Sequence, residues 1–150
     1  MFTVDTSVYV NAINSAERGS SDSALFLERV FQRPWPVFSP TLLLVETAAA
    51  ISRIFDDAKR GLAMARAARG LPGQIWVPLE ESLADEAARL GAEHRLRGAD
   101  ALYAAVAQRF GTVLVTCDDQ QLDRLRPALL VLTPAQALTR LDESARANQE

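Results

Sequence analysis

The chain has 150 residues, a formal net charge of −3 and 23% charged residues, which suits one domain with a substantial core and lacks the basic footprint of a typical nucleic-acid binder. Its single cysteine, Cys117, excludes an internal disulfide and a cysteine-built zinc cluster, and its acidic neighbours argue against a nucleophilic thiol. No apolar run reaches membrane-spanning length and no basic segment leads into the short hydrophobic start, so a cytoplasmic protein is expected.

Met1 to Val4 is apolar and ends at Asp5, which reads as a first strand. A helix is expected from about Ser7 to Ser15. The polar turn Gly19-Ser20-Ser21-Asp22 starts a second helix, which runs to about Gln32 and is closed by Pro34 and Pro36. Val37-Phe38-Ser39 is a second strand. Ser39 is expected to cap a third helix with Pro40 in its first position. That helix, LLLVETAAAISRIF, is apolar on most sides and reads as buried, with Glu46 in its middle and Arg53 seven residues on along the same face. An Ala/Arg helix follows and stops at Gly70 and Pro72. Gln74 to Pro78 is a third strand. Ser82 and Asp85 form a capping-box pattern ahead of a helix from Leu83 to about Arg95.

The next stretch, GADALYAAVAQRFGTVLVTCDD, organises the rest. An Ala-rich helix spans about Ala99 to Phe110, Gly111 ends it, and Thr112 to Thr116 is a β-branched fourth strand. A short turn at Asp123 to Arg126 leads to a fifth strand, Leu129 to Leu132. Pro134 opens a last helix to about Leu141. The domain is expected to span residues 1–141, followed by a polar tail over 142–150. Short apolar strands alternating with helices indicate an α/β fold with a parallel sheet, whose site lies outside the carboxyl ends of the strands.

Most carboxylates sit in polar surroundings. Asp5, Glu46, Asp100 and Asp118 instead interrupt or end apolar segments, where an acid needs a partner. Helix capping, the helix dipole and a Glu46–Arg53 pair offer a structural account of each one singly. Together they would need several buried cations, and the apolar segments contain few arginines. Clustered carboxylates raise one another's pKa, and a divalent cation relieves the repulsion. An all-oxygen set without His or Cys selects hard ions, Mg²⁺ or Mn²⁺. Such ions lower the pKa of bound water and stabilise charge on a phosphoryl oxygen.

Four segments carry a resemblance: VDTSVYV, LLLVETAAAISR, GADALYAAVA and TVLVTCD. In this order and spacing, from Met1 to about Pro134, they resemble the PIN-domain ribonucleases, and among these the VapC-type toxins of toxin–antitoxin pairs. The resemblance implies a three-layer α/β/α sandwich with a five-stranded parallel sheet. It implies Mg²⁺- or Mn²⁺-dependent endonucleolytic cleavage of RNA, a homodimer, and neutralisation by a small VapB-type antitoxin. Matched by motif, Asp5, Glu46, Asp100 and Asp118 are the four acids. Thr116 matches the hydroxyl residue two before the fourth acid. Thr6 and Ser7 match the hydroxyl-bearing turn after the first. Asp119 follows Asp118 directly and either is able to be the fourth acid; the Thr-x-Asp spacing favours Asp118.

Asp5, Asp100, Glu46 and Asp118 are therefore the expected metal-binding and catalytic residues. Arg53, Arg95 and Arg97 are candidates to contact the RNA backbone, each also readable as a solvated helix face. Two other readings compete. A catalytically silent PIN-like module would act only by binding a partner, but no acid is missing. A haloacid dehalogenase-like phosphatase wants a second Asp two residues after Asp5, where Ser7 stands.

Overall fold

The computed structural model describes residues 1–33 and 35–147. Five strands alternate with helices in the order β1 (Phe2–Val4), α1 (Thr6–Ile13), α2 (Ser20–Gln32), β2 (Val37–Pro40), α3 (Leu42–Phe55), α4 (Ala58–Arg69), β3 (Gln74–Val77), α5 (Glu81–His94), α6 (Gly98–Phe110), β4 (Val113–Val115), α7 (Asp119–Leu125), β5 (Val131–Leu132) and α8 (Pro134–Ala147). All pairings are parallel and the strand order is β3-β2-β1-β4-β5. Helices flank this sheet in the α/β/α arrangement expected.

The strand order decides where a site is able to form. The chain moves from β1 outward through β2 to β3, then returns to the other side of β1 with β4. Connections leave the sheet in opposite directions at β1 and β4, which opens a crevice at their carboxyl ends. The register aligns Val4 with Val115, so Asp5 and Thr116 emerge side by side at that crevice.

Composition explains the layer above it. Residues Asp100 to Ala107 of α6 are all buried, and the alanines among them let the helix lie close to β1, β2 and β4. Gly111, with φ of 61°, ends α6 in a left-handed conformation that its missing Cβ allows. α3 and α4 pack as a close antiparallel pair. A Cβ on Gly61 would meet the backbone oxygen of Ala48 at 2.4 Å, so this glycine sets their spacing.

Several local expectations are corrected. Ser39 does not cap α3: its hydroxyl donates to Gln74 Oε1 at 2.7 Å, Pro40 ends β2, and α3 starts after Thr41 without a side-chain cap. Pairing with β3 keeps the backbone extended through Pro40. α3 is not buried all round. Leu43, Thr47 and Ile51 face the interior, whereas Val45 and Ile54 are 64% and 43% exposed. The capping box does not form, because Glu80 occupies the N-cap of α5 and Ser82 donates to Glu80 Oε1. α7 begins at Asp119 rather than Asp123, since the Asp118 side chain caps it. α8 passes Leu141 and runs to Ala147, through residues expected to be a tail; α8 packs on α2, with Asp142 paired to Arg29. Pro34 and residues 148–150 lie outside the described residues. Among those described, no helix is long and apolar enough to cross a membrane.

Candidate active site

Asp5 ends β1 and caps α1, with its side chain accepting from the Ser7 amide. It is 6% exposed. Its Oδ2 collects every hydrogen bond: Ser7 N, Ser7 Oγ, and Thr116 Oγ1 at 3.0 Å. The same hydroxyls fasten the end of β4. Ser7 Oγ accepts from Cys117 N, and Thr116 Oγ1 accepts from Asp118 N, both at 3.0 Å. Thr116 and Ser7 are thus the lacing between the first and fourth acids. Asp5 Oδ1 receives no hydrogen bond from the described residues.

Burial raises the Asp5 pKa to about 6; the Glu46 and Asp100 charges push the same way, against the Ser7 and Thr116 hydrogen bonds. Asp5 therefore lies within electrostatic range of two of the other expected acids, one on α3 and one on α6.

Glu46 is half-buried on α3. Its Oε2 accepts from Thr6 Oγ1 at 3.0 Å and from Tyr103 Oη at 2.8 Å, and those two hydroxyls lie 2.5 Å apart. Arg53 is exposed and makes no ion pair with it. Tyr103 is fully buried in α6. Burial, then the Asp5 and Glu46 charges, lift its phenol well above the usual range, so it remains a neutral donor.

Asp100 and Asp118 are held differently. Asp100 is buried in the first turn of α6, and its Oδ1 accepts from Gln121 Nε2 at 2.9 Å. Asp118 caps α7 through Oδ1, which accepts from the amides of Gln120 and Gln121. Arg97 joins the two acids: its Nε donates to Asp100 Oδ2 at 2.8 Å and its Nη2 to Asp118 Oδ2. Asp119 is exposed and makes no side-chain hydrogen bond or ion pair among the described residues. Of the expected RNA-contacting arginines, Arg53 and Arg95 are exposed, and only Arg97 reaches the acids.

Tyr103 and Gln121 were not singled out from the sequence. Tyr103 sits three residues after Asp100 in an apolar helix, and a phenol there needs a partner, which is a usable signal. Gln121 belongs to a polar run and gives none. Cys117 is half-buried; burial above all, with the Asp5 charge, raises its thiol pKa, which agrees with an unreactive cysteine.

The donor chemistry suits a hard divalent cation: four carboxylates around one crevice, with no His or Cys among them. Among the described residues, no three acidic, His or Cys side chains converge closely enough to hold an ion in this arrangement.

A family model described as PIN domain matches residues 2–126. A sequence comparison with curated proteins finds no significant match. Similar solved structures include VapC20 of Mycobacterium tuberculosis, a sarcin–ricin loop cleaving toxin. It is 20% identical, with a TM-score of 0.67 over 82% of this chain and 94% of that one. The DNA-bound VapBC2 of Rickettsia felis is 16% identical, with a TM-score of 0.66 over 88% and 97% of the two chains. The DNA-bound VapBC of Salmonella typhimurium is 17% identical, with a TM-score of 0.65 over 89% and 97%. At these identities the likeness is one of fold.

Proposed function

The chain belongs to the PIN domain family, and on that premise we propose that it is a divalent-metal-dependent endoribonuclease, the toxin of a toxin–antitoxin pair. The observation that carries this reading is the Asp5 carboxylate. It is buried at the β1/β4 crevice within range of two other acids, raised in pKa, and without a cationic partner among the described residues.

A resident Mg²⁺ or Mn²⁺ would supply a water of lowered pKa and a Lewis acid for the phosphoryl oxygen. Asp5, Asp100 and Glu46 would hold it, with Asp118 at the edge of the set. The chain's own residues do the rest. Ser7 and Thr116 keep Asp5 Oδ2 engaged, so that Oδ1 stays available. Thr6 and Tyr103 fix the Glu46 rotamer by the same device. Gln121 orients Asp100 from behind. Arg95 and Arg53, both exposed, are the arginines proposed to meet the RNA backbone.

A cognate antitoxin of the VapB type is proposed as the protein partner, in line with the toxin–antitoxin complexes among the structural neighbours. An apolar groove of about 300 Å³ between α1, α2, α3 and α4, lined by Tyr9, Ile13, Leu27, Phe31, Ile51 and Met64 among others, suits an amphipathic segment. A homodimer is proposed as well; exposed Val45, Ile54 and Leu62 on the α3–α4 pair are apolar surface of the kind that association covers.

Purified protein incubated with total RNA tests the reading. Cleavage is expected with Mn²⁺ or Mg²⁺, none with EDTA, and none from Asp5→Asn. Cleavage that persists in EDTA, or in the folded Asp5→Asn variant, would overturn it.

A further inference from the structure

The four acids share one pattern. Each has one oxygen anchored by hydrogen bonds from the protein: Oδ2 of Asp5, Oε2 of Glu46, Oδ1 of Asp100 and Oδ1 of Asp118. The second oxygen is what an incoming ligand would use. In Asp5 and Glu46 that oxygen takes no hydrogen bond from the described residues. In Asp100 and Asp118 it is Oδ2, and in both it is held by Arg97.

We infer that Arg97 is the resident counter-ion of this cluster: its guanidinium and a divalent cation compete for the same two oxygens, Asp100 Oδ2 and Asp118 Oδ2. The inference rests on the nuclease reading for the identity of the cation. Three features make Arg97 displaceable. Its side chain is 67% exposed, so the pairs are screened by water. It precedes α6 and makes no side-chain cap bond, so its departure costs the helix nothing directly. Its two hydrogen bonds end on oxygens that no other donor among the described residues claims.

A second observation comes from the residue that anchors the other oxygen of Asp100. Gln121 is 1% exposed, and while its Nε2 holds Asp100 Oδ1, its Oε1 has no partner among the described residues. A buried acceptor without a donor is uncommon, and water carried by a hydrated cation is a donor. With Arg97 seated, the Asp100 and Asp118 Oδ2 atoms face a guanidinium instead of a common point. Entry of the cation and release of Arg97 are then one event, and Arg97 sets how much cation is needed.

Calorimetric titration with Mn²⁺ alone, without RNA, reads this directly. Arg97→Gln is expected to bind Mn²⁺ about tenfold more tightly than wild type. Arg97→Lys keeps the charge but lacks the fork that bridges two carboxylates, so its affinity should fall between the two. Arg66→Gln, an exposed arginine on α4, controls for the loss of one positive charge and should bind like wild type. In EDTA the Arg97→Gln variant should melt below wild type, and Mn²⁺ should raise its Tm further. If wild type binds Mn²⁺ and Arg97→Gln binds it no better, the inference fails while the nuclease reading stands. An equal gain in Arg66→Gln would also overturn it, as a general charge effect. If neither wild type nor Arg97→Gln binds Mn²⁺, both readings fall together.

Discussion

The two halves of the acid cluster solve the same electrostatic problem by different means. Asp5 and Glu46 are held by hydroxyls: Ser7, Thr116, Thr6 and Tyr103. Asp100 and Asp118 are held by a guanidinium and by amides. Hydroxyls orient a carboxylate without cancelling its charge, and so the cost of burial stays with Asp5, whose pKa rises to about 6. An arginine cancels charge but occupies the oxygens. On the proposed nuclease reading, the hydroxyl-held half would take a cation directly, whereas the arginine-held half would first give up Arg97.

The strongest way to break this contrast is to neutralise each half in turn. Asp5→Asn keeps an oxygen for Ser7 and Thr116 but loses the charge. RNA cleavage should fall about a thousandfold or more, roughly 4 kcal/mol of transition-state stabilisation. Asp118→Asn, at the edge, should fall markedly less. Equal losses in single-turnover assays would erase the distinction.

Stability against pH sharpens it next. The Asp5 pKa is 3.8 unfolded and about 6 folded, so the folded state holds its proton longer. This group is most favourable to folding below pH 3.8 and becomes fully unfavourable once pH has risen through 6. The difference is about 3 kcal/mol. In EDTA, Asp5→Asn should be more stable than wild type at pH 8 by up to about that amount, with the gain vanishing towards pH 4. Denaturant melts across that range would show a flat difference if burial of the charge were not the cause.

Smaller effects probe the supports. Tyr103→Phe removes one of two hydroxyls from Glu46 Oε2 and should destabilise the fold by about 1–2 kcal/mol. It should also lower Mn²⁺ affinity, a readout that a purely structural phenol would not move. Smallest is Arg95→Gln. It should leave Tm nearly unchanged and reduce the salt dependence of RNA binding by about one unit of slope. An unchanged slope would remove Arg95 from the RNA path.

Much of the site was legible because an acid within an apolar segment is conspicuous. Asp5 after FTV, Glu46 within LLLVETAAA and Asp100 within GADALYAAVA stand out by contrast with their neighbours. Arg97 was singled out only as a candidate contact to the RNA backbone, and its pairing with Asp100 and Asp118 was not read from the sequence. The α3 helix misled because apolar residues also occur on protein surfaces, and Val45 and Ile54 lie outward. The Ser39 and Ser82 caps failed because each hydroxyl had a better use, on Gln74 in the neighbouring strand and on Glu80.

By itself, the sequence determined the alternation of strands and helices and the parallel sheet, and it singled out four candidate acids. Those follow from periodicity and from the cost of placing charge beside apolar side chains. Only the tertiary structure decided which oxygen of each acid is anchored and which is left over. The anchors come from far along the chain: Thr116 reaches Asp5 across 111 positions, and Tyr103 reaches Glu46 across 57. Hydrogen bonds act within about 3 Å, and a one-dimensional pattern carries no information on which distant donors the fold will bring that close.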